Sequence, residues 1–281
     1  MSAFMRAALA AVAAAAAIAA IVAGCATSVT TRQTTALSLD GILAGSQRSD
    51  ANRARDIYRH PKETLLFFGL RPETRVVEIW PDPSGWYTEV IAPLVRKKGK
   101  YYAAVIDAAP GNANQAKRAS DFRAKLAARP DLYDRVEITK LALDGGEIAP
   151  PGSVDMVLTF RNIHNWMARD TAPQAFAAMF RALKPGGVLG VVEHRGNPAV
   201  PQDPKAKSGY INEQFAIEMI EAQGFRLVAK SEINANPKDT KDYEQGVWTL
   251  PPNYRLGDKD REKYAAIGES DRFTLKFVKP K

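Results

Sequence analysis

The chain has few of the residues from which metal centres and disulfide frameworks are built. It contains one cysteine, Cys25, and three histidines among 281 residues. A single cysteine excludes a disulfide within the chain and a cysteine-based metal site. Because His60, His164 and His194 have no paired spacing, the sequence predicts no zinc centre and no other metal site.

Blocks of like charge are also missing. The 39 Lys and Arg residues outnumber the 31 Asp and Glu residues and give a formal net charge of +8, but they are scattered. The densest basic run is only Arg96-Lys97-Lys98. A positive charge favours anionic partners, yet scattered basic residues are typical of a solvated surface. No nucleic-acid partner is expected, and nothing in the sequence indicates an oligomeric state.

Long apolar runs are confined to the N-terminus. Residues 1–6 supply a short positive start, and residues 7–23 are uncharged and rich in Ala, Val and Ile, as in a secretory signal. The run is too short and too rich in alanine for a typical membrane span. Its end, Val22-Ala23-Gly24-Cys25, resembles the bacterial lipobox, in which the cysteine is acylated. An ordinary cleaved signal and an uncleaved anchor are the alternatives.

These features predict three parts of the chain. Residues 1–25 are expected to be a lipoprotein-type signal peptide, residues 26–48 a flexible tether, and residues 49–281 the folded domain. The domain is then exported to the periplasm or the outer face of a bacterial membrane. Acyl chains on Cys25 would hold it on the membrane surface.

Strand and helix patterns alternate along the folded part. Such alternation predicts an α/β fold with a mostly parallel, doubly wound, Rossmann-like sheet, and a ligand crevice at the carboxyl ends of the strands. Predicted strands lie at 76–80, 101–106, 136–138, 154–160, 187–192, 225–233 and 272–278, and predicted helices end at 68 or span 86–95, 113–128, 173–183 and 211–223.

Several segments occur in an order that resembles a known enzyme family. They are Val76-Val77-Glu78-Ile79 before a turn and Trp86-Tyr87-Thr88-Glu89, then Asp107, Asp155-Met156-Val157-Leu158, and Leu183-Lys184-Pro185-Gly186-Gly187. Over about residues 58–278 the chain resembles class I S-adenosylmethionine (SAM) methyltransferases, and more closely a group of predicted exported bacterial methyltransferases. The resemblance implies a seven-stranded sheet of the class I methyltransferase type, SAM as cofactor and a small-molecule methyl acceptor.

The resemblance also implies positions for the cofactor. Glu78 and Asp107 stand where the family places carboxylates near the amino acid end and the ribose of SAM, and Asp144 stands near the adenine amine. Carboxylates there would pair with polar groups of SAM that burial otherwise leaves without partners. Tyr87, at the start of the following helix, is expected to face the same ligand.

The first turn, Trp80-Pro81-Asp82-Pro83-Ser84-Gly85, departs from the family. The family has several glycines here, which let the backbone approach the ligand, whereas this turn keeps only Gly85. Its two prolines remove amide donors, and Asp82 lies beside the expected place of the SAM carboxylate. Either the turn binds SAM differently, through Trp80, Gly85 and an Asp82 that faces the ammonium group, or binding has been lost.

The segment after the fourth strand carries the predicted acceptor side. His164 is expected to be the general base for a protic acceptor, Asn162 a positioning group, and Arg161 a forked donor for an anionic substrate. His194 and Arg195 end the fifth strand and point towards the same crevice. His60 and residues 248–252 with Arg255 are expected to form a lid over it.

Three functions follow from these patterns. The first is a membrane-tethered methyltransferase, which has to obtain SAM in a compartment where little is expected. The second is a noncatalytic or repurposed ligand-binding lipoprotein on the same fold, favoured by the glycine-poor turn. The third, a dinucleotide-dependent oxidoreductase, needs a Gly-x-Gly-x-x-Gly turn that residues 80–85 lack. The first is the expected function.

Overall fold

The computed structural model describes residues 39–106, 112–141 and 146–281. The predicted signal peptide, with Cys25 and most of the tether, lies outside these residues. Within the described ranges, no helix combines the length and apolar character needed to cross a membrane.

Seven strands form a single sheet. They are β1 Arg75–Ile79, β2 Lys100–Val105, β3 Val136–Lys140, β4 Val154–Phe160, β5 Leu183–His194, β6 Arg226–Ser231 and β7 Arg272–Val278. Their order across the sheet is β3-β2-β1-β4-β5-β7-β6. Strands β1 to β5 pair in parallel, and β7 runs antiparallel between β5 and β6. This topology confirms the predicted sheet, and it places the change of winding direction between β1 and β4, where ligands bind in such folds.

Helices pack on both faces of the sheet. In chain order they are α1 Asp50–Arg53, α2 Asp56–Arg59, α3 Pro61–Phe68, α4 Thr88–Val95, α5 Ala113–Ala127, α6 Pro130–Tyr133, α7 Ile163–Ala168, α8 Ala172–Ala182, α9 Glu213–Glu221 and α10 Arg261–Ile267, with a 3₁₀ helix at Gly246–Thr249. The longer helices lie where the sequence predicts them. The helices of four to seven residues were not predicted, because so few turns show little apolar periodicity.

The core has two layers that share the sheet. Successive strand residues point to opposite faces, so Val76 packs with Phe68 and Ile91 on one face, whereas Val77 packs with Phe176 on the other. Burial on both faces explains why the parallel strands appear in the sequence as continuous apolar runs.

Residues 39–48 pack on the folded domain, and the prediction of a flexible tether is wrong for them. Leu39 is 1% exposed and joins the core cluster that contains Trp86. Arg48 is also 1% exposed, and both terminal nitrogens of its guanidinium donate to the carboxylate of Asp56. Polar residues around a few apolar ones do not reveal such packing in the sequence.

The predicted turn before the fifth strand lies inside β5. Leu183 pairs with Val154 and Val188 pairs with Met156, so four residues of β5, 184–187, face a single residue of β4. The N–H of Gly186 donates to a carbonyl beyond β7 at 2.8 Å, and this residue has a φ of 79°, which favours glycine. The extra residues form a bulge that precedes the regular part of the strand.

Candidate active site

A cavity of about 460 Å³ opens at the carboxyl ends of β1 and β4. Its volume lies in the range of small-molecule sites. Seven predicted site residues line it, namely Glu78, Trp80, Asp82, Tyr87, Arg161, Asn162 and His164. Gly85 belongs to the same turn but is not among the lining residues, and Asp107 and Asp144 lie outside the described residues.

Glu78, the last residue but one of β1, has a buried carboxyl group. Its Oε2 accepts hydrogen bonds from the hydroxyls of Tyr101 at 2.5 Å and Thr88 at 3.2 Å. Burial raises the pKa of Glu78 to about 7, although the two hydroxyl donors act in the opposite direction. Near neutral pH the site therefore holds this carboxyl in both protonation states.

The first turn has a left-handed residue at each end, although only one of the two is a glycine. Trp80 has a φ of 47° and Gly85 a φ of 62°, both in the left-handed region. The N–H of Trp80 donates to the carbonyl of Ala104 at 2.8 Å, which ties the turn to β2. A bulky residue at such a φ is strained, and strain of this kind concentrates at functional sites.

Few amides of this turn remain for a ligand. The N–H of Ser84 donates to Oδ1 of Asp82 at 2.8 Å, and the N–H of Gly85 donates to the Asp82 carbonyl at 2.7 Å. Pro81 and Pro83 have no N–H. In the described part of the chain, Asp82 thus has the one amide of the turn without a partner.

Asp82 brings a carboxylate into the cavity. Its Oδ2 lies 3.2 Å from Nη2 of Arg118 on α5, and its side chain is half exposed. Burial acts to raise the pKa of Asp82, but the N–H of Ser84 and the charges of Arg118 and Arg161 outweigh it and lower this pKa. The group is an anion at neutral pH.

Tyr87 belongs to both the core and the cavity. Its ring stacks on Phe160 with centroids 3.4 Å apart and meets Trp86 edge-on at 4.4 Å. Burial raises the pKa of the Tyr87 phenol to about 12, so the side chain is neutral. Trp86 donates from Nε1 to the carbonyl of Asn52 at 2.8 Å and anchors the N-terminal segment.

His164 is oriented by Glu193, whose role the sequence does not predict. Nδ1 of His164 lies 3.2 Å from Oε1 of Glu193, and Nε2 lies 3.0 Å from the side-chain nitrogen of Asn165. We assign the proton to Nδ1 because it faces a carboxylate, which leaves Nε2 as the acceptor. The only sequence signal for Glu193 is an acidic residue at the end of an otherwise apolar strand.

His194 lies on the same wall, with its ring centroid 5.5 Å from that of His164. Its Nδ1 is 2.5 Å from the hydroxyl oxygen of Ser270. Burial, with the nearby His164 and arginine side chains, lowers the pKa of His194 well below its usual value. Its ring is neutral. Arg195 does not line the cavity, because its guanidinium pairs with Glu213, Glu232 and Asp271.

One group of potential metal ligands is present among the described residues. His164, Glu193 and His194 each place a ligand atom within 4.8 Å of the others, a grouping that their spacing in the sequence does not predict. The N–H groups of Ile163 and His194 already donate to the two oxygens of Glu193, at 2.7 and 2.9 Å. Both Nδ1 atoms also have hydrogen-bond partners, so the arrangement suits proton transfer better than cation binding.

Asn162 connects the ends of two strands. Its side-chain nitrogen donates to the carbonyl of Ile79 and to the hydroxyl of Thr159, both at 3.1 Å. This amide therefore fixes the floor of the cavity between β1 and β4.

Arginine side chains dominate one wall. Glu269 accepts from Nε of Arg55 at 2.5 Å, from Nε of Arg59 at 3.2 Å and from Nη2 of Arg272. Arg161 has a φ of 60° and, among the described residues, no hydrogen-bond or ion-pair partner for its side chain. Arg55, Arg59 and Arg272 were not predicted, because they reach the site from opposite ends of the chain.

The segment predicted as a lid lies over His164. Trp248, Pro251 and Pro252 line the cavity, and the Trp248 ring meets the His164 ring edge-on at 5.9 Å. Arg255 stacks its guanidinium 4.5 Å from the centroid of Trp248. His60 is not among the lining residues.

No protein-family profile and no curated protein sequence matches the chain. Solved structures, in contrast, match the chain. A SAM dependent methyltransferase from Aquifex aeolicus is 16% identical over 80% of this chain and 93% of its own, with a TM-score of 0.52. Geranyl diphosphate C-methyltransferase from Streptomyces coelicolor A3(2) is 15% identical over 84% and 86%, with a TM-score of 0.54. The [4+2]-cyclase SpnF is 17% identical over the same shares, with a TM-score of 0.55. These likenesses show the class I methyltransferase fold.

Proposed function

We propose that the protein is a SAM-dependent methyltransferase whose acceptor is a small molecule with a protic nucleophile such as a hydroxyl. The observation that carries this proposal is the composition of one cavity at the carboxyl ends of β1 and β4. Glu78 and Asp82 line it from β1 and the turn after β1, and His164, which is held by Glu193, lines it from the segment after β4. Two of the solved structures with this fold are methyltransferases by name.

The described part of the site suits the methionine end of SAM. The anionic Asp82 matches the ammonium group, and Arg118 beside it offers a guanidinium to the carboxylate. The aromatic ring of Tyr87 suits a neighbouring sulfonium cation. Asp107 and Asp144 remain the predicted residues for the ribose and the adenine.

The protein's own part in the reaction is to position an acceptor and move one proton. Bound SAM supplies a methyl group already activated by its sulfonium. Nε2 of His164 takes the proton of the acceptor once the acceptor replaces the Asn165 amide at that nitrogen. Glu193 holds the ring through Nδ1 and stabilises its protonated form. Trp248 and Pro251 shield this step from water.

Calorimetric titration of the purified protein with SAM tests the proposal. We expect binding at pH 8 that is weakened about tenfold or more in Asp82→Asn, because the variant removes the carboxylate that faces the ammonium. The matched control Glu262→Gln changes an exposed carboxylate on α10 and is expected to bind as the wild type does. No binding at millimolar SAM would contradict the proposal.

A noncatalytic or repurposed ligand-binding protein is the second candidate. The observation in its favour is the first turn, in which only the amide of Asp82 has no partner among the described residues. The [4+2]-cyclase among the similar structures has, by its name, another activity on this fold. A ligand that binds the cavity and is recovered unchanged, with no SAM binding, would favour this candidate.

We further propose that the protein is exported and anchored to a membrane through Cys25. The lipobox-like end of the N-terminal segment supports this location. Cells that express the wild type are expected to incorporate a radioactive fatty acid into the protein, whereas cells that express Cys25→Ser are not. Equal label in both proteins, or label in neither, would contradict the anchor.

A further inference from the structure

Positive charge exceeds negative charge on the wall formed by helix α2 with the residue before it, the residue after β4 and the start of β7. Arg55, Arg59 and Arg272 share the single carboxylate of Glu269, and Arg161 adds a fourth guanidinium. The arginines repel one another: burial lowers the pKa of Arg59 well below its usual value, and the charge of Arg161 is the next largest cause. One carboxylate on this wall does not balance its four cations, and the carboxyl groups among the lining residues, Glu78 and Asp82, belong to β1 and the turn after it.

The same wall has donors that no described residue accepts. Arg272 is 2% exposed and its Nε is buried without a hydrogen-bond partner. Arg59 is 3% exposed and donates only through Nε within the described part of the chain. A buried charged donor without an acceptor is costly, so these nitrogens together call for an acceptor with several oxygens. The planar fork of arginine matches a carboxylate or a phosphate.

The backbone holds Arg161 beside the base. Its N–H donates to the carbonyl of Val192 at 2.7 Å, and its left-handed φ turns the chain as β4 ends. His164 follows three residues later at the start of α7. An anionic group bound at Arg161 would therefore hold the rest of the same molecule close to His164.

We propose that the methyl acceptor is an organic anion whose carboxylate or phosphate is bound by Arg161 with Arg59 and Arg272. This inference rests on the proposed function for the acceptor's role, but the anion site is independent of it. The carboxylate of SAM itself is a second anionic group that these arginines would bind. Arg118, paired with Asp82, supplies a separate guanidinium for that group.

Titration with inorganic phosphate tests the anion site. We expect the wild type to bind phosphate and Arg161→Gln to bind it about tenfold or more weakly, with Arg161→Lys in between. Arg123→Gln removes an equal charge from an exposed position on α5 and is expected to leave phosphate affinity unchanged. Failure of the wild type to bind phosphate, or equal affinity in Arg161→Gln, would overturn the proposal.

Titration of the same variants with SAM separates the two sources. We expect Arg161→Gln to bind SAM as the wild type does; a loss as large as that for phosphate would assign the wall to the SAM carboxylate and overturn the proposal. If the wild type binds phosphate through Arg161 but binds no SAM, the proposed function fails and the anion site stands. Melting curves without phosphate check that Arg161→Gln is folded, as expected for a side chain with no partner among the described residues.

Discussion

Glu78 is a single residue whose charge depends on the fold. Its pKa rises from an ordinary 4.5 to about 7 because the carboxyl is buried. Between these two pH values the folded protein binds the proton more tightly than the unfolded chain does. The contribution of Glu78 to stability is therefore highest below pH 4.5, falls as the pH rises to about 7, and is constant above that.

The first prediction concerns this pH dependence. The free energy of unfolding of the wild type, relative to Glu78→Gln, is expected to fall by about 2 to 3 kcal/mol between pH 5 and pH 8. Urea unfolding at both pH values measures the difference. Glu262→Gln, which alters an exposed carboxyl, is expected to show no such change. A difference between wild type and Glu78→Gln that stays constant with pH would refute the raised pKa.

The charge of Glu78 also bears on ligand binding. Because the anionic form attracts a sulfonium cation, SAM affinity is expected to increase as the pH rises through about 7. Calorimetric titrations from pH 6 to pH 8 measure this trend. In Glu78→Gln the trend is expected to disappear; a wild-type affinity that is flat over this range would count against contact between Glu78 and the ligand's cation.

Glu193 carries a third prediction at this scale. Its carboxylate accepts from two backbone N–H groups and from Nδ1 of His164, so an amide in Glu193→Gln would bring its own donor against these donors. We expect Glu193→Gln to lose about 1 to 3 kcal/mol of stability in urea unfolding. The exposed Glu218→Gln on α9 serves as the control. An unchanged midpoint for Glu193→Gln would mean that these contacts do not stabilise the folded protein.

Residues close together in the sequence were easier to place than their partners. Arg161, Asn162 and His164 follow a recognisable strand, so the sequence alone indicates a shared crevice. Glu193 and Arg272 come from strands whose pairing depends on register, which local patterns do not reveal. Cys25, Asp107 and Asp144 stay predictions.

The first turn is the element on which cofactor binding depends. It packs against α4 and α5: a Cβ at Gly85 would lie 2.8 Å from Cε of Lys125 and 3.3 Å from Cβ of Thr88. Lys125 in turn holds the buried Glu89 at 2.6 Å. The shape of the turn is thus coupled to the start of α4.

Two glycine substitutions, one in this turn and one outside it, separate the effect of backbone conformation from the effect of crowding. Gly152 has a φ of 61° and open space around its Cβ position, whereas Gly85 has a φ of 62° and close neighbours. We expect Gly152→Ala to lose about 1 kcal/mol of stability, because alanine is strained at a left-handed φ. Gly85→Ala is expected to lose more, because its Cβ also meets close neighbours. Urea midpoints measure both. Equal losses would show that Lys125 moves aside freely.

Element prediction succeeded where periodicity was long enough. Strand β4 and strand β7 have the predicted bounds, and α5 differs from its prediction by one residue. Helix α7 is not among the predicted helices, because six residues contain fewer than two turns and mix polar with apolar side chains. Such short helices are set by tertiary packing rather than by local pattern.

At the scale of the whole molecule, the N-terminal segment completes the domain. Leu39 is buried in the core, and Arg48 lies against Asp56 with its Nε 3.9 Å from Glu89. A chain that begins at residue 49 is therefore expected to melt about 6 to 12 °C below one that begins at residue 38, since it loses roughly 3 kcal/mol of packing. Thermal unfolding followed by circular dichroism measures the difference. Equal melting temperatures would mean that residues 39–48 add no stability, as expected for the predicted tether.

Glu269 is far from two of its arginine partners in the sequence, and this distance affects when the arginine wall forms. It meets Arg55 across 214 positions and Arg59 across 210. A chain made from its N-terminus carries both arginines through most of its synthesis before their shared counter-charge exists, and contacts so distant along the chain form slowly. The anion-binding wall therefore forms late in synthesis, and a chain that ends before Glu269 lacks the carboxylate with which Arg55 and Arg59 pair.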